Sequence, residues 1–128
     1  MMRDGGFVFG FERLLAFQAG RRLVNQVYAI QRRFPSHERF ALCDQLRRAA
    51  VSITSNIAEG MGRFSPKEQV HFIGVAFGSL MEVYSQLLIA FDEHYIDEDE
   101  LESLKQDIAN EAKLLSGLRN SIVRRINA

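Results

Sequence analysis

The sequence contains one cysteine, two prolines and no tryptophan in 128 residues. Because a single cysteine cannot form an internal disulfide, we interpret Cys43 as a reduced core residue and expect a cytoplasmic protein. No stretch approaches the ~18 uninterrupted apolar residues of a membrane helix, and residues 1–10 lack the pattern of a signal peptide. These absences predict a soluble protein with no membrane partner.

Residues arranged for catalysis are also scarce. The sequence has no glycine-rich phosphate loop and no cysteine or histidine cluster with zinc spacing. A carboxylate-bridged metal site in a helical bundle needs two Glu-x-x-His pairs, and only Glu68 and His71 form one. His37 and His94 fall at predicted helix ends. We therefore expect no enzymatic activity, no cofactor and no metal.

Charge is balanced overall but divided along the chain. Residues 1–67 contain 11 Lys+Arg and 5 Asp+Glu, whereas residues 68–128 contain 5 and 11. A basic surface of this kind is typical of nucleic-acid-binding proteins. Alternatively, the basic and acidic helices neutralise each other within the fold or across subunits. The candidate phosphate-binding residues are arginines: Arg21, Arg22, Arg32, Arg33, Arg47, Arg48 and Arg63.

Helix signals divide the chain into four segments, which we predict at 11–33, 37–59, 66–94 and 98–126. Apolar residues recur at spacings of three and four in each segment. Ser36, Ser65 and Asp97 are predicted N-caps, and Gly60 and Gly62 a helix stop with left-handed backbone. Short connections then favour an antiparallel up-down-up-down four-helix bundle over residues 11–128, after a flexible N-terminal tail at 1–10.

The first and third segments carry specific packing predictions. In the first helix we place five residues on the inner face (Leu15, Ala19, Leu23, Val27 and Ile30), widened by Val24 and Tyr28, with a close helix crossing at Gly20. The third helix has more apolar residues than one bundle can bury. Together with Gly74 and Gly78, which allow close packing, this surplus predicts a homo-oligomer.

The second helix also carries a stripe of small and polar residues. Its members are Ser52, Ser55, Asn56 and Glu59. We predict that this stripe is partly buried and structural, and that Arg47, Arg48 or Arg63 pairs with Glu59 or with Glu82 of the third helix. The alternative is a ligand site.

The segment Gln45–Arg63 reads Q-x-R-R-A-A-x-S-I-x-S-N-I-A-E-G-x-G-R. It resembles the signature of a bacterial four-helix-bundle family found as reading frames within intervening sequences of 23S rRNA genes. Residues 34–38, with Phe-Pro and then Glu, and residues 76–82 (AFGSLME) resemble its flanking segments. Two departures are Thr54, where the family commonly has a helix-kinking proline, and the absence of a tryptophan near Phe17.

The resemblance implies a small homo-oligomer, with a ring of five bundles favoured, and it does not imply an enzyme. The family is also similar to the accessory protein of diversity-generating retroelements, which works with a reverse transcriptase and binds nucleic acid. Two functions therefore remain: a nucleic-acid-binding accessory factor for structured RNA or DNA, or a structural oligomer that binds only protein.

Overall fold

The chain folds into four α-helices around one hydrophobic core. The structure, a computed structural model, describes residues 6–127, and no strand occurs in that range. The helices are α1 (Leu15–Gln31), α2 (Leu42–Met61), α3 (Pro66–Asp92) and α4 (Glu98–Asn127). The predicted all-α class is confirmed. Half of the predicted N-terminal tail, residues 1–5, lies outside the described residues.

Each helix packs against two others. α1 contacts α2 and α4, and α3 contacts the same two helices, while α1 and α3 do not touch each other in the described chain. The interior is filled by aliphatic side chains that are almost inaccessible to solvent. They include Leu23, Val27, Leu46, Ile53, Ile57, Ile73, Leu80, Val83, Leu87, Leu115 and Ile122. Burial of this aliphatic surface is the main stabilising contribution to the fold.

The first helix starts later than the sequence indicates, and its predicted inner face is confirmed at Ala19, Leu23 and Val27. A 3-10 turn at Gly10–Arg13 is separated from α1 by Leu14, whose backbone is extended. Leu15 is 65% exposed and Tyr28 44% exposed, so placing both on the inner face was wrong. At the start of α1 the side facing the core is lined by the small residues Ala16, Ala19 and Gly20. Because neighbouring helices approach closely at Gly20, these small residues determine which side of α1 faces the core.

The connection from α1 to α2 is longer than predicted. Ser36–Glu38 forms a separate 3-10 turn, Ser36 does not cap it, and α2 begins only at Leu42. Glu38 explains this geometry, because it accepts hydrogen bonds from the Tyr95 hydroxyl at 2.8 Å and from the Leu42 amide at 3.4 Å. The bond to Glu38 also raises the pKa of Tyr95 to about 12. The turn is thereby fixed to the α3–α4 connection.

Glycine at the end of α2 serves close packing rather than unusual backbone geometry. Gly62 has an ordinary right-handed conformation, so the predicted left-handed stop is wrong. Gly60 lies inside α2, and a Cβ atom there would be 2.9 Å from the Cβ of Phe72 on α3. Only glycine lets the two helices approach this closely before the short turn. α2 also continues through Thr54 without interruption.

The starts of α3 and α4 agree with their capping signals. The Ser65 hydroxyl accepts a hydrogen bond from the Glu68 amide, and Pro66 occupies the first turn. Asp97 and Glu100 exchange hydrogen bonds between side chain and backbone at 2.8 and 2.9 Å. This reciprocal pair is a capping box, which satisfies two amides that the helix itself leaves free.

The outer face of α3 is unusually apolar. Four of its large hydrophobic side chains are 39–49% exposed: Val75, Met81, Leu88 and Ile89. Gly74 and Gly78 lie on this face with no atom of the described chain near their missing side chains. By length and composition α3 could span a membrane, but its opposite side belongs to the core. We call this surface, from Gly74 to Ile89, the outer α3 face.

Candidate nucleic-acid interface

Two exposed pairs of arginines lie on α1 and directly after it. Arg21 and Arg22 are on the helix, and Arg32 and Arg33 follow its last residue, Gln31. Because Arg32 caps the helix with helical backbone angles, it lies on the same side as Arg21, about three turns further on. α1 contains no acidic residue from Leu15 to Gln31. Arg21, Arg22 and Arg32 have no carboxylate within ion-pair distance among residues 6–127. These three guanidinium groups are thus available to an anion.

Arg33 is the one member of the two pairs with an acidic partner. It donates a hydrogen bond to Glu100 at the start of α4. The backbone amide of Asp97 and then the Arg33 guanidinium lower the pKa of Glu100. Among the described residues, this contact is the one ion pair between these four arginines and the acidic residues of α4, and Arg21, Arg22 and Arg32 keep their positive charge.

The arginines at the start of α2 are held more firmly. Arg47 donates to the Gln31 side-chain oxygen at 3.0 Å, and Gln31 donates to the Cys43 carbonyl at 3.0 Å. Asp44 pairs with Arg48 at 3.0 Å and lies 3.7 Å from Arg47. Arg47 is thereby fixed in place next to the C-terminal end of α1. Cys43 is buried below, which raises the pKa of its thiol, with Arg47 opposing the shift.

Arg63 lies at the opposite end of α2. Its guanidinium pairs with Glu59 at 2.8 Å and stacks over the Phe72 ring at 4.8 Å from the ring centre. The structure therefore brings together the arginines at the C-terminal end of α1 and the start of α2, but it places Arg63 apart from them. Seven arginines do not form one continuous surface in a single chain.

The small polar residues of α2 divide into two groups. Ser52 and Ser79 of α3 share a hydrogen bond of 2.8 Å, and Asn56 donates to the Ser52 carbonyl and hydroxyl at 2.8 and 2.9 Å. Ser55 is exposed. Glu59 is exposed as well and pairs with Arg63, one of the predicted partners.

Glu82 of α3 is exposed, and it accepts a hydrogen bond from Gln86 on its own helix at 3.2 Å. No arginine of the described chain pairs with it. The arginines proposed for it at the start of α2 pair with Asp44 instead, because that carboxylate lies one turn away on the same helix.

Several residues that line a cavity or bury an ionisable group were not predicted from the sequence as site residues. Tyr28, Gln31 and Arg39 lie beside Arg32 and Arg47 around one cavity. Glu111 of α4 is completely buried, and neither of its carboxylate oxygens has a hydrogen-bond partner in residues 6–127. Its position in the helix gave a usable signal, because it lies one turn after Ile108 and one before Leu115.

A polar groove separates α1 from α4 outside Glu111. It has a volume of about 360 Å³ and is lined by Arg22, Asn25, Gln26, Asp107 and Asn110, among others. Gln26 donates to Asp107 across it at 2.8 Å. Within the described residues, no group of three or more His, Cys, Asp or Glu side chains could hold a metal ion.

Comparison with known proteins gives a family for this arrangement. The family model of the 23S rRNA-intervening sequence protein matches residues 12–117. The chain belongs to the 23S rRNA-intervening sequence protein family. The resemblance seen in Gln45–Arg63 is therefore confirmed, and the family spans all four helices.

A solved structure shares the fold. It is the 1.70 Å crystal structure of a protein of unknown function from the S23 ribosomal protein family of Bacteroides thetaiotaomicron. The likeness covers 83% of this chain and 96% of that chain, with a TM-score of 0.76 and 19% sequence identity. At that identity the likeness concerns the fold. A comparison with curated proteins finds no match.

Proposed function

We propose that this member of the 23S rRNA-intervening sequence protein family is a non-enzymatic nucleic-acid-binding accessory factor that binds structured RNA. The observation that carries the proposal is the exposed face of α1, where Arg21, Arg22 and Arg32 have no acidic partner in the described chain. The RNA gene in the family's name supports RNA as the ligand. A reverse transcriptase is the protein partner expected from the resemblance, and its gene would lie nearby.

The mode of binding follows from the residue type. Arginine donates several hydrogen bonds in a planar arrangement that matches a phosphate group. Contacts to phosphates place a protein on a strand without reading its bases, so we expect little sequence preference. We also expect strong weakening by salt, because each neutralised phosphate releases condensed counterions.

Assembly of several copies is the second part of the proposal. Through the contact of Arg33 with Glu100, the start of α4 lies beside the end of α1. Through the contact of Arg125 with Gln69, the end of α4 lies beside the start of α3. We infer an antiparallel up-down-up-down bundle from these contacts. The outer α3 face would then bind a neighbouring bundle, and a closed ring, with five copies favoured, would repeat the α1 arginines around an axis.

A purely structural oligomer is the alternative function, and the outer α3 face is the observation in its favour. From His71 to Phe91 the only acidic or basic residue on α3 besides the histidine is Glu82. Exposed apolar surface of this extent is typical of protein–protein contacts. Light scattering at micromolar concentration tests the assembly, and a mass near 14.6 kDa would contradict it.

The test of RNA binding replaces Arg21, Arg22, Arg32 and Arg33 with glutamine and titrates structured RNA at several salt concentrations. We expect affinity at ~50 mM salt to fall by at least tenfold, and the slope of log K against log salt to become smaller by about 3. Removing charge on another helix supplies the control. The control variant replaces four exposed residues of α4 with glutamine and so changes the net charge equally: Lys105, Lys113, Arg119 and Arg124.

The control variant should bind RNA nearly as well as the parent. Equal losses in both variants would mean that bulk charge, rather than the α1 face, attracts the RNA. A parent that does not bind RNA even at ~50 mM salt, where phosphate contacts are strong, would favour the structural oligomer.

A further inference from the structure

A cavity of about 540 Å³ lies where α1 ends and α2 begins. Its walls come from the last turn of α1, the connecting segment 32–41 and the first turns of α2. Three arginines line it, Arg32, Arg39 and Arg47, and no aspartate or glutamate does. Its size is within the range of about 300–1,000 Å³ that is usual for sites that bind small molecules.

The positive charge of the arginines around this cavity is largely uncompensated by nearby carboxylates. Arg47 is fixed by its hydrogen bond to Gln31, which is 8% exposed and is itself bonded to the Cys43 carbonyl. The carboxylate nearest to Arg47 belongs to Asp44, which lies closer to Arg48 (3.0 Å) than to Arg47 (3.7 Å). Arg32 and Arg39 have no carboxylate within ion-pair distance in the described chain. A net positive charge therefore remains around the cavity.

A helix-end effect does not account for all three arginines. Cations are favoured in the last turn of a helix, where the carbonyl groups point outward. Arg32 caps the end of α1 and could serve only that purpose. Arg39 lies beyond the 3-10 turn, and Arg47 lies in the second turn of α2, where a cation gains nothing from the dipole. Neither position is explained by the helix dipole, and Arg39 also lies 6.0 Å from the centre of the Phe40 ring.

An aromatic side chain completes the site. Tyr28 lines the cavity and is 44% exposed, so a ligand can reach its side chain. Phe34 closes the interior side, where it is 7% exposed and packs against the Tyr95 ring at 5.2 Å. Exposed aromatic rings beside arginines are the usual means of holding an unpaired base by stacking.

We propose that this cavity binds a nucleoside 5′-monophosphate group, with the phosphate between Arg32, Arg39 and Arg47 and the base against Tyr28. The inference goes beyond the strand binding proposed above, because it assigns a ligand to this cavity rather than to the α1 surface. A free nucleotide and the phosphorylated 5′ end of an RNA strand have this chemistry in common. A phosphate monoester suits three guanidinium groups because it carries up to two negative charges and three acceptor oxygens.

The first test measures binding of adenosine 5′-monophosphate, adenosine and inorganic phosphate to the full chain by calorimetry. We expect the nucleotide to bind with a Kd below about 1 mM, and adenosine and phosphate at least tenfold more weakly, because each retains only part of the contacts. Arg39→Gln should weaken nucleotide binding about tenfold, which is the usual effect of losing a charge-assisted hydrogen bond. Arg124→Gln, on the exposed surface of α4 and outside the cavity, should leave it unchanged.

The second test separates the two sources of the ligand. A short single-stranded RNA is titrated with and without a 5′ phosphate, using the parent and both variants. Tighter binding of the phosphorylated strand, lost in Arg39→Gln and kept in Arg124→Gln, identifies the strand end. Nucleotide binding without any difference between the two strands identifies the free nucleotide.

Other outcomes overturn the inference, and they are distinct from failure of the proposed function. If the nucleotide does not bind and the two strands bind equally, the cavity has no such role, although RNA binding by α1 stands. The same conclusion follows if Arg39→Gln and Arg124→Gln reduce nucleotide binding to the same extent. If the nucleotide binds and no strand of structured RNA does, the cavity site stands and the proposed RNA function falls.

Discussion

Two polar sites between the helices of the described chain have different surroundings. Between α2 and α3, Ser52, Asn56 and Ser79 satisfy one another with hydrogen bonds of 2.8–2.9 Å. Between α1 and α4, Glu111 is 0% exposed and both its oxygens lack a hydrogen-bond partner in residues 6–127. The first cluster is compatible with close packing, whereas the second leaves a carboxyl group with no compensation for the water it has lost.

The difference shows in protonation. Burial raises the pKa of Glu111 to about 8, and the positive charge of Arg22 only partly opposes the shift. The carboxyl group is therefore mostly protonated in the folded protein at neutral pH, whereas in the unfolded chain it is ionised. Small neutral side chains on α2 and α3 can be buried in mutual contact, but the isolated carboxyl lowers stability unless it keeps its proton.

The largest expected effect comes from removing the carboxyl group. Glu111→Leu keeps a similar volume and eliminates the charge, so we expect the free energy of unfolding at pH 8 to rise by about 3 kcal/mol. Urea unfolding measures it. Glu102→Leu, on the exposed side of the same helix, is the control and should change stability by no more than ~0.5 kcal/mol. A loss of stability in Glu111→Leu would show that the carboxyl has a partner in solution.

The second prediction concerns pH. Because the folded pKa of Glu111 is above its unfolded value, the folded state binds more protons between the two values, and stability falls as pH rises toward 8. We expect the parent to lose about 2 kcal/mol between pH 6 and pH 8. The loss should be absent in Glu111→Leu. The same slope in both proteins would assign the pH dependence to other groups.

The satisfied cluster predicts an effect of opposite sign. Ser52→Ala leaves Ser79, which is 8% exposed, and Asn56 without one partner each. We expect a loss of about 1–2 kcal/mol in the free energy of unfolding, because buried polar groups without partners are costly. Ser55→Ala, one turn away and exposed, is the matched control. If both changes had equally small effects, the cluster would contribute nothing to stability.

The smallest predicted effect on stability concerns the contact between Glu111 and Gly20 of α1. A Cβ atom at Gly20 would lie 3.0 Å from a Glu111 oxygen and 3.1 Å from a Thr54 methyl group. Gly20→Ala should therefore be more favourable, by about 1 kcal/mol, in a Glu111→Ala background than in the parent. A double-mutant cycle measures this difference. If the effects of the two changes on the free energy of unfolding are additive, the residue at position 20 does not contact the Glu111 carboxyl group.

The sequence predicts those parts of the fold that depend on local interactions. Ser65 with Pro66, and Asp97 with Glu100, set the starts of α3 and α4 through contacts within one turn. The close crossing at Gly20 was also predicted and is confirmed by the short distances there.

The errors arise where distant residues decide the structure. Leu15 is exposed because α1 rotates to bring small residues against its neighbours. The start of α2 depends on Glu38 bonding to Tyr95, 57 residues away. The cavity at the end of α1 is equally non-local, since it combines Tyr28 and Arg39 with Arg47 of the next helix. No spacing rule within one helix predicts such a site.

The polar groove between α1 and α4 has a consequence for motion. Gln26 and Asp107 bridge it by a single hydrogen bond, next to a buried carboxyl that resists losing its proton. Segments with few apolar contacts open before the whole protein unfolds. We therefore expect amide hydrogens of α1 to exchange with solvent before those of α2 and α3, and to do so faster as pH rises beyond the intrinsic increase. The helix that carries the arginines would then be the most mobile of the four.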